Sequence, residues 1–332
     1  MRIAKSVPVA LGILVPIGLL AGCGGSAGSQ LSQLPSPATQ NATRALRLGS
    51  EGSLRGDSWM APDVKRHDLL YVSDLGSGDV NVYSYPRGEL KGVLTGFSAP
   101  HYECVDAAGN VFIANGSANQ LLEYAHGGKT PIKTFNEPGF THGCAVDPTT
   151  GNLAVLHDPA SSSPGGFSIY KHARGVPKEY TTPNVFRVYF IGYDGKGDLF
   201  VDGTDMHNAY ELAELPAAGK AAKAITLNQS IILAGAIQWD GKYLAIGDQV
   251  SIYGPSKIYQ FSVAGDAGTL AGTTRLANSC DVLQFWLLGQ RVIASNVCAP
   301  HVLYFNYPGG GASTKTISDS LIEPVGVTVS RK

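Results

Sequence analysis

Apolar residues in this chain come in short runs separated by turns rich in glycine, proline and small polar residues. The stretch from Gly143, GCAVDPTTGNLAVLHDPASSSPGGFSIYKHARG, shows the unit. Residues 144–147 read as a short strand. Residues 148–151 read as a turn, because proline presets φ and glycine accepts positive φ. Residues 153–156 form a second, wholly apolar strand and residues 167–170 a third, followed by a turn at Gly175.

The same unit recurs along the chain. The turn after the third strand carries Gly88, Gly128, Gly175, Gly219, Gly265 and Gly310, at intervals of 40, 47, 44, 46 and 45 residues. Third strands are expected at 82–85, 121–124, 167–170, 210–212, 258–261 and 302–307, and second strands at 70–73, 111–114, 153–156, 199–201, 243–246 and 292–294. First strands precede only five of these, at 103–106, 144–147, 189–193, 236–239 and 282–286. The missing one lies at the other end of the chain, where residues 324–329 have the form of a first strand and nothing follows it. A closed ring would place it in the unit begun by residues 70–73. The expectation is an all-β fold, a six-bladed β-propeller of four-stranded blades, closed by the C-terminal strand pairing in the N-terminal blade. The alternative is a solenoid, which would need capping repeats.

The strand GxAVD, a glycine turn, the strand LxVxD/N and an aromatic third strand resemble NHL-type six-bladed propellers, the gluconolactonase-like group and the streptogramin-lyase-like group. The resemblance covers roughly residues 68–329 and implies the fold more than an activity. The chain as a whole resembles bacterial propeller lipoproteins. In the lactonase group an inner-strand glutamate works with Asn and Asp metal ligands. Glu103 is the one glutamate at a comparable first-strand position, but it lies in the second blade.

The first residues change the picture. Arg2 and Lys5 form a basic region, and an apolar stretch over 7–20 is interrupted by Pro8 and Pro16. It is too short and broken for a permanent membrane helix. Leu20-Ala21-Gly22-Cys23 resembles the lipobox, which implies a lipoprotein signal peptide over 1–22, cleavage before Cys23, and lipidation of Cys23. Residues 23–57 then read as a flexible tether rich in Gly, Ser, Gln, Ala and Thr, and 58–332 as the propeller. Trp59 and Met60 mark where the chain reaches the folded domain. This address implies the cell envelope, with a membrane as partner through the lipid.

Charge adds an exclusion. The formal charge is −1, and −3 once Arg2 and Lys5 are removed, with no basic cluster. That argues against nucleic acid as a partner. A chain of this size reads as one monomeric domain.

Four cysteines remain besides Cys23. Cys280 and Cys298 are symmetric about Gly289 in an expected hairpin and are candidates to pair across it; Cys104 and Cys144 lie on equivalent strands of successive units. The alternative for each is a buried free thiol.

Two polar sets carry candidate chemistry. The second strand ends on Asp74, Asn115, Asp158, Asp202, Asp248 and Asn296, a channel-mouth ring to which His157 and Asp281 add. Such a ring suits a hard cation, or simply shapes each loop by bonding backbone amides. His101 and His142 precede equivalent first strands and, with Glu103, are the catalytic candidates. Calcium or zinc is the cofactor such a cluster would take; the sequence predicts none firmly. Phe285, Trp286 and Trp239 read as core. The leading expectation is therefore a lipid-anchored binding or scaffold module for an envelope protein, peptide or saccharide. The alternative is a metal-dependent hydrolase of the lactonase type at the channel mouth.

Overall fold

The computed structural model describes residues 56–159, 163–249 and 254–332. The expected leader, Cys23 and all but the last two residues of the tether lie outside the described residues. The described chain is almost entirely β-strand and turn, and its fold is a β-propeller.

Antiparallel pairing sorts the strands into four-stranded units of consecutive segments. In the third unit Phe140–Val146, Leu153–Asp158, Gly166–Lys171 and Arg174–Thr181 pair in that order, inner strand to outer. The second unit runs from Pro100–Val105 to Lys133–Asn136 and the fourth from Arg187–Tyr193 to Lys223–Leu227. The fifth runs from Ala234–Trp239 to Ala267–Ala277 and the sixth from Phe285–Leu288 to Gly310–Ile317. Short parallel bridges join the outer strands of the fourth, fifth and sixth units.

The first unit takes its inner strand from the far end of the chain. Pro324–Ser330 pairs antiparallel with Asp68–Asp74, from Leu69 opposite Ser330 to Asp74 opposite Pro324. At the outer side of the same unit, Trp59–Met60 pairs with Leu90–Leu94.

Second strands such as Leu70-Tyr71-Val72 are continuously apolar because a neighbouring unit covers each face of the sheet. Accordingly Tyr71, Val80 and Leu94 pack with Val111, Ile113 and Tyr124 of the second unit, while Leu70, Val72 and Tyr83 pack with Ile293, Val302 and Tyr304 of the sixth. Each such large side chain contributes about 1.5–3 kcal/mol on burial. Glycine supplies positive φ in the turns after the third strands at Gly88, Gly175, Gly265 and Gly310. In the second unit Gly127, not Gly128, takes that role, with φ +64°.

Three inner strands depart by three residues or more from the sequence expectation; the second begins at Pro100 rather than 103, with Pro100 opposite Asn115. The third begins at Phe140 rather than 144, since the polar and small residues ahead of Cys144 still pair, Thr141 with His157 and Phe140 with Asp158. The sixth begins at Phe285 rather than 282, because Leu283 O accepts from Ala236 N (3.1 Å) and Val282 N donates to Ser256 Oγ (3.1 Å). These bonds turn the backbone toward the fifth unit instead of its own ladder.

Two disulfides are present. Cys104–Cys144 links the inner strands of the second and third units, and Cys280–Cys298 closes the loops flanking the hairpin of the sixth, each with a Cα–Cα distance of 5.6 Å. Cys280 and Cys298 lie beyond the paired strands and not opposite each other on them. Cys280 N donates to Asn296 Oδ1 at 2.6 Å, which anchors that loop.

Candidate functional site

Inner strands start where second strands end, so the residues of the polar ring gather at one face of the propeller, called here the start face. The pairings Pro100 with Asn115, Phe140 with Asp158, Ala234 with Asp248 and Pro324 with Asp74 fix this.

At the start face most of the ring is engaged by its own backbone. Asp74 Oδ1 accepts from Gly76 N (3.0 Å), Ser77 N (3.3 Å) and Glu323 N (2.8 Å), and Oδ2 from Ile322 N (2.6 Å). Asn115 Oδ1 accepts from Ser98 N (2.6 Å), and Asp248 Oδ1 from Ile232 N and Leu233 N (3.2 Å each). Asn296 takes Cys280 N, as above, and donates to Ala299 O (2.9 Å). Asp202 Oδ1 accepts from Phe190 N (3.1 Å) and Oδ2 from Tyr210 Oη (3.3 Å). In the first, second, fifth and sixth units the ring residue thus fastens the segment that leads into its own unit's inner strand.

The third unit differs. Asp158 meets Arg187 of the fourth unit, whose Nη1 lies 3.2 Å from both carboxylate oxygens. His157 Nε2 lies 3.0 Å from Glu179 Oε2. Burial pushes the Asp74, Asp158, Asp202 and Asp281 carboxyls above the usual range, Asp202 strongly. Asp281 is buried with a left-handed backbone, φ +55°. Among the described residues no three His, Cys, Asp or Glu side chains are placed to share a metal ion. Outside the third unit the ring residues therefore act as backbone clasps.

His101 and His142 do come together. Their ring centroids are 5.9 Å apart, with Phe140 at 5.0 Å from His101 and 4.9 Å from His142. Tyr102 stacks on His101 at 5.3 Å, and Tyr189 meets His142 edge-on at 6.2 Å. Each imidazole keeps a partly accessible edge, yet burial lowers His101 to about 4 and His142 to about 3, so both are neutral at neutral pH.

Glu103 is 1% exposed. Ser73 Oγ donates to its Oε1 at 2.6 Å, while Oε2 has no hydrogen-bond partner. Burial pushes the carboxyl up to about 8. Its backbone is clasped by Gln284: Glu103 N donates to Gln284 Oε1 (3.1 Å), Gln284 Nε2 donates to Glu103 O (2.7 Å), and Val327 N donates to the same Oε1 (2.9 Å). One amide thus ties the sixth, first and second units at the ring closure. Gly326 permits the approach, since a Cβ there would meet His101 O at 2.4 Å.

Below these residues, toward the other face, the inner strands line an open-mouthed axial cavity of about 300 Å³. Its wall includes Tyr102, Tyr189, Phe190, Tyr193, Trp239 and Trp286, with Glu103, Gln238, Gln284 and the Cys104–Cys144 pair. Trp239 and Trp286 are half-buried and border this space, whereas Phe285, the neighbour of Trp286, is fully buried. Of the three residues read as core, Phe285 is wholly so, Trp286 packs against the core between the first and sixth units while bordering the cavity, and Trp239 borders the cavity. Tyr102 and Phe190 stack at 4.4 Å across the second and fourth units. Gln238 Oε1 accepts from Leu287 N (2.7 Å). The aromatic cavity wall was not foreseen as a site.

No protein-family model matches the chain, and no curated protein matches it. Solved structures do share its fold. A chain from a nidogen–laminin complex superposes with a TM-score of 0.63 at 12% identity, covering 80% of this chain and 98% of that one. A protein of unknown function from Bacteroides caccae gives 0.60 at 12% identity, covering 80% and 100%. A streptogramin B lyase gives 0.51 at 14% identity, covering 80% and 78%. At such identities the likeness carries the propeller fold alone.

Proposed function

We propose that this protein is a six-bladed propeller of the NHL type, anchored by a lipid on Cys23 in the cell envelope, that acts as a binding module. Its ligand site is the axial cavity. The observation that carries this reading is the aromatic wall around about 300 Å³ of space, at the lower end of the range for small-molecule pockets, with few polar groups in it. The anchor rests on the basic residues, broken apolar stretch and Leu20-Ala21-Gly22-Cys23 motif. An envelope protein, peptide or saccharide would present the ligand group.

The metal-dependent lactonase alternative gains no support at Glu103. Its carboxyl neighbours a serine hydroxyl and its backbone a glutamine amide, and a hard cation needs several oxygen ligands converging on one point.

The test of the binding reading is intrinsic fluorescence. Two of the three tryptophans, Trp239 and Trp286, border the cavity and the third, Trp59, lies at the outer side of the first unit. A saturable emission change on titrating small aromatic or aliphatic molecules, retained in Trp59→Phe, is expected. No change with any of them sinks the reading. For the anchor, Cys23→Ser should move the protein from the membrane to the soluble fraction and abolish incorporation of labelled fatty acid.

A further inference from the structure

We infer that the partner of the axial cavity is an acidic protein segment. It places one apolar side chain in the cavity and its carboxylates on the face around the mouth. This rests on the reading of the cavity as a binding site and adds the class and charge of what fills it.

The charges of the propeller are sorted by face. Connections that lead into inner strands or follow second strands lie at the start face, and among the described residues they hold no Lys or Arg. Turns from inner to second strands, and from third to outer strands, lie at the opposite face, onto which the cavity opens. At or beside those turns stand Lys129, Arg174, Lys196, Lys220, Lys242 and Arg291, all exposed. Among the described residues none of these six has an ion-pair partner.

Three of them border the mouth. The turns of Lys196 and Lys242 follow directly on Tyr193 and Trp239 of the cavity wall, and Arg291 ends the turn that follows the wall residue Leu287 and its neighbour. Gly195 lies against the Trp239 indole, where a Cβ would meet Nε1 at 2.8 Å. The aspartates of these turns are drawn onto their own backbone. Asp194 Oδ1 accepts from Lys196 N (2.7 Å) and Asp198 N (3.0 Å). Asp240 Oδ1 accepts from Lys242 N (2.8 Å) and Tyr243 N (2.7 Å), and Oδ2 from Tyr307 Oη (2.7 Å). The lysine side chains are left to meet a partner.

An apolar pocket ringed by exposed charge has the anatomy of a protein–protein hot spot, with a buried anchor at the centre and charge complementarity at the rim. A saccharide would ask the wall for more hydrogen-bonding groups than it offers, since Gln238 and Gln284 already bond the backbone. A flat bilayer surface would leave the cavity unfilled. The chain also joins the fold away from this face: Thr95 N donates to Ser58 Oγ (3.0 Å) at the start-face edge of the first unit.

The experiment titrates three capped peptides into the full chain and follows tryptophan emission. One has a phenylalanine with three glutamates on either side; the second replaces the glutamates by glutamines; the third replaces the phenylalanine by alanine. The first is expected to bind about tenfold tighter than either of the others at low salt, with the advantage shrinking at high salt. Lys196→Glu with Lys242→Glu should remove the advantage, and Lys196→Arg with Lys242→Arg should keep it. Lys257→Glu with Arg275→Glu makes the same charge change toward the start face and should leave it intact. If the glutamine peptide binds as tightly as the first, the acidic partner is overturned while the cavity stands. If the alanine peptide does, the anchor in the cavity is overturned. Loss of the advantage in the Lys257 and Arg275 variant would mean attraction to net charge, not to this face, and would overturn the inference. So would a Cys23→Ser protein that ignores the peptides but gathers on phosphatidylglycerol vesicles. If no peptide changes the emission the inference fails; the binding reading fails only if the wider titration of small molecules is silent too.

Discussion

The two ends of the propeller axis use polar residues in opposite ways. At the start face, carboxylates and amides recur once per unit and, outside the third unit, are spent on backbone amides: Asp74 alone accepts four. Around the cavity polar residues are few, and one of them, Glu103, has an oxygen left over. The contrast teaches that periodic recurrence of a reactive side chain marks a structural duty, since every unit needs the same loop. Unrepeated residues in a shared space are where a ligand can be recognised.

Four measurements would break or sharpen that contrast. The largest effect is expected from the disulfides. Removing Cys104–Cys144 with alanines at both positions should cost about 4 kcal/mol in the loop-entropy account, and removing Cys280–Cys298 about 3 kcal/mol, given sequence separations of 40 and 18. Denaturant unfolding measures both. Only the first pair borders the cavity, so only its loss should also weaken ligand binding; equal weakening by both would erase the distinction between the ends.

Next, Asp74→Ala should destabilise by about 2–3 kcal/mol, because it strands several buried amides, while ligand affinity of the folded fraction stays the same. A loss of affinity without a loss of stability would show the ring to be functional after all.

A pH series is third. Glu103, raised to about 8, and Glu137, raised to about 7, hold protons in the folded state that the unfolded chain releases near 4.5. Each therefore lowers stability as pH rises from about 4.5 to its folded value, by up to about 1.4 kcal/mol per pH unit. His101 and His142, lowered to about 4 and 3, act oppositely. The unfolded chain binds protons below about 6.5 that the folded one refuses, so their contribution rises with pH up to there. Hence Glu103→Gln should gain stability relative to the parent progressively between pH 4.5 and 8. Parallel stability curves would mean that Glu103 ionises as freely as an exposed carboxylate.

The smallest effect is expected at the ring position held by an arginine, Asp158. Arg187→Lys should cost under about 1 kcal/mol, the scale of a solvent-accessible pair, since Arg187 and Asp158 retain 28% and 15% side-chain exposure.

The fold was legible because the pattern repeats: second strands such as residues 111–114 and 153–156 are apolar throughout, and the orphan strand at 324–329 announced the closure. The ring was legible as a recurrence, and its duty followed from the chemistry of Asp and Asn in turns. The cavity was not. Tyr102, Tyr189, Trp239 and Trp286 share no repeat position, so aromatic side chains that border open space look like those that fill a core. The clasp of Gln284 on Glu103 was equally hidden, since its partners are backbone groups 181 residues away in sequence.

The strand borrowed from the far end has a consequence in time. Residues 68–74 leave the ribosome early, yet their inner partner, Pro324–Ser330, is made only after the strands of all the units between. Until then the first unit exposes the open edge of Asp68–Asp74, the kind of surface that recruits stray strands. The ring cannot close on a chain that has not yet reached this segment. A chain cut before Pro324 would leave an open ring whose free edge is available to a neighbour's.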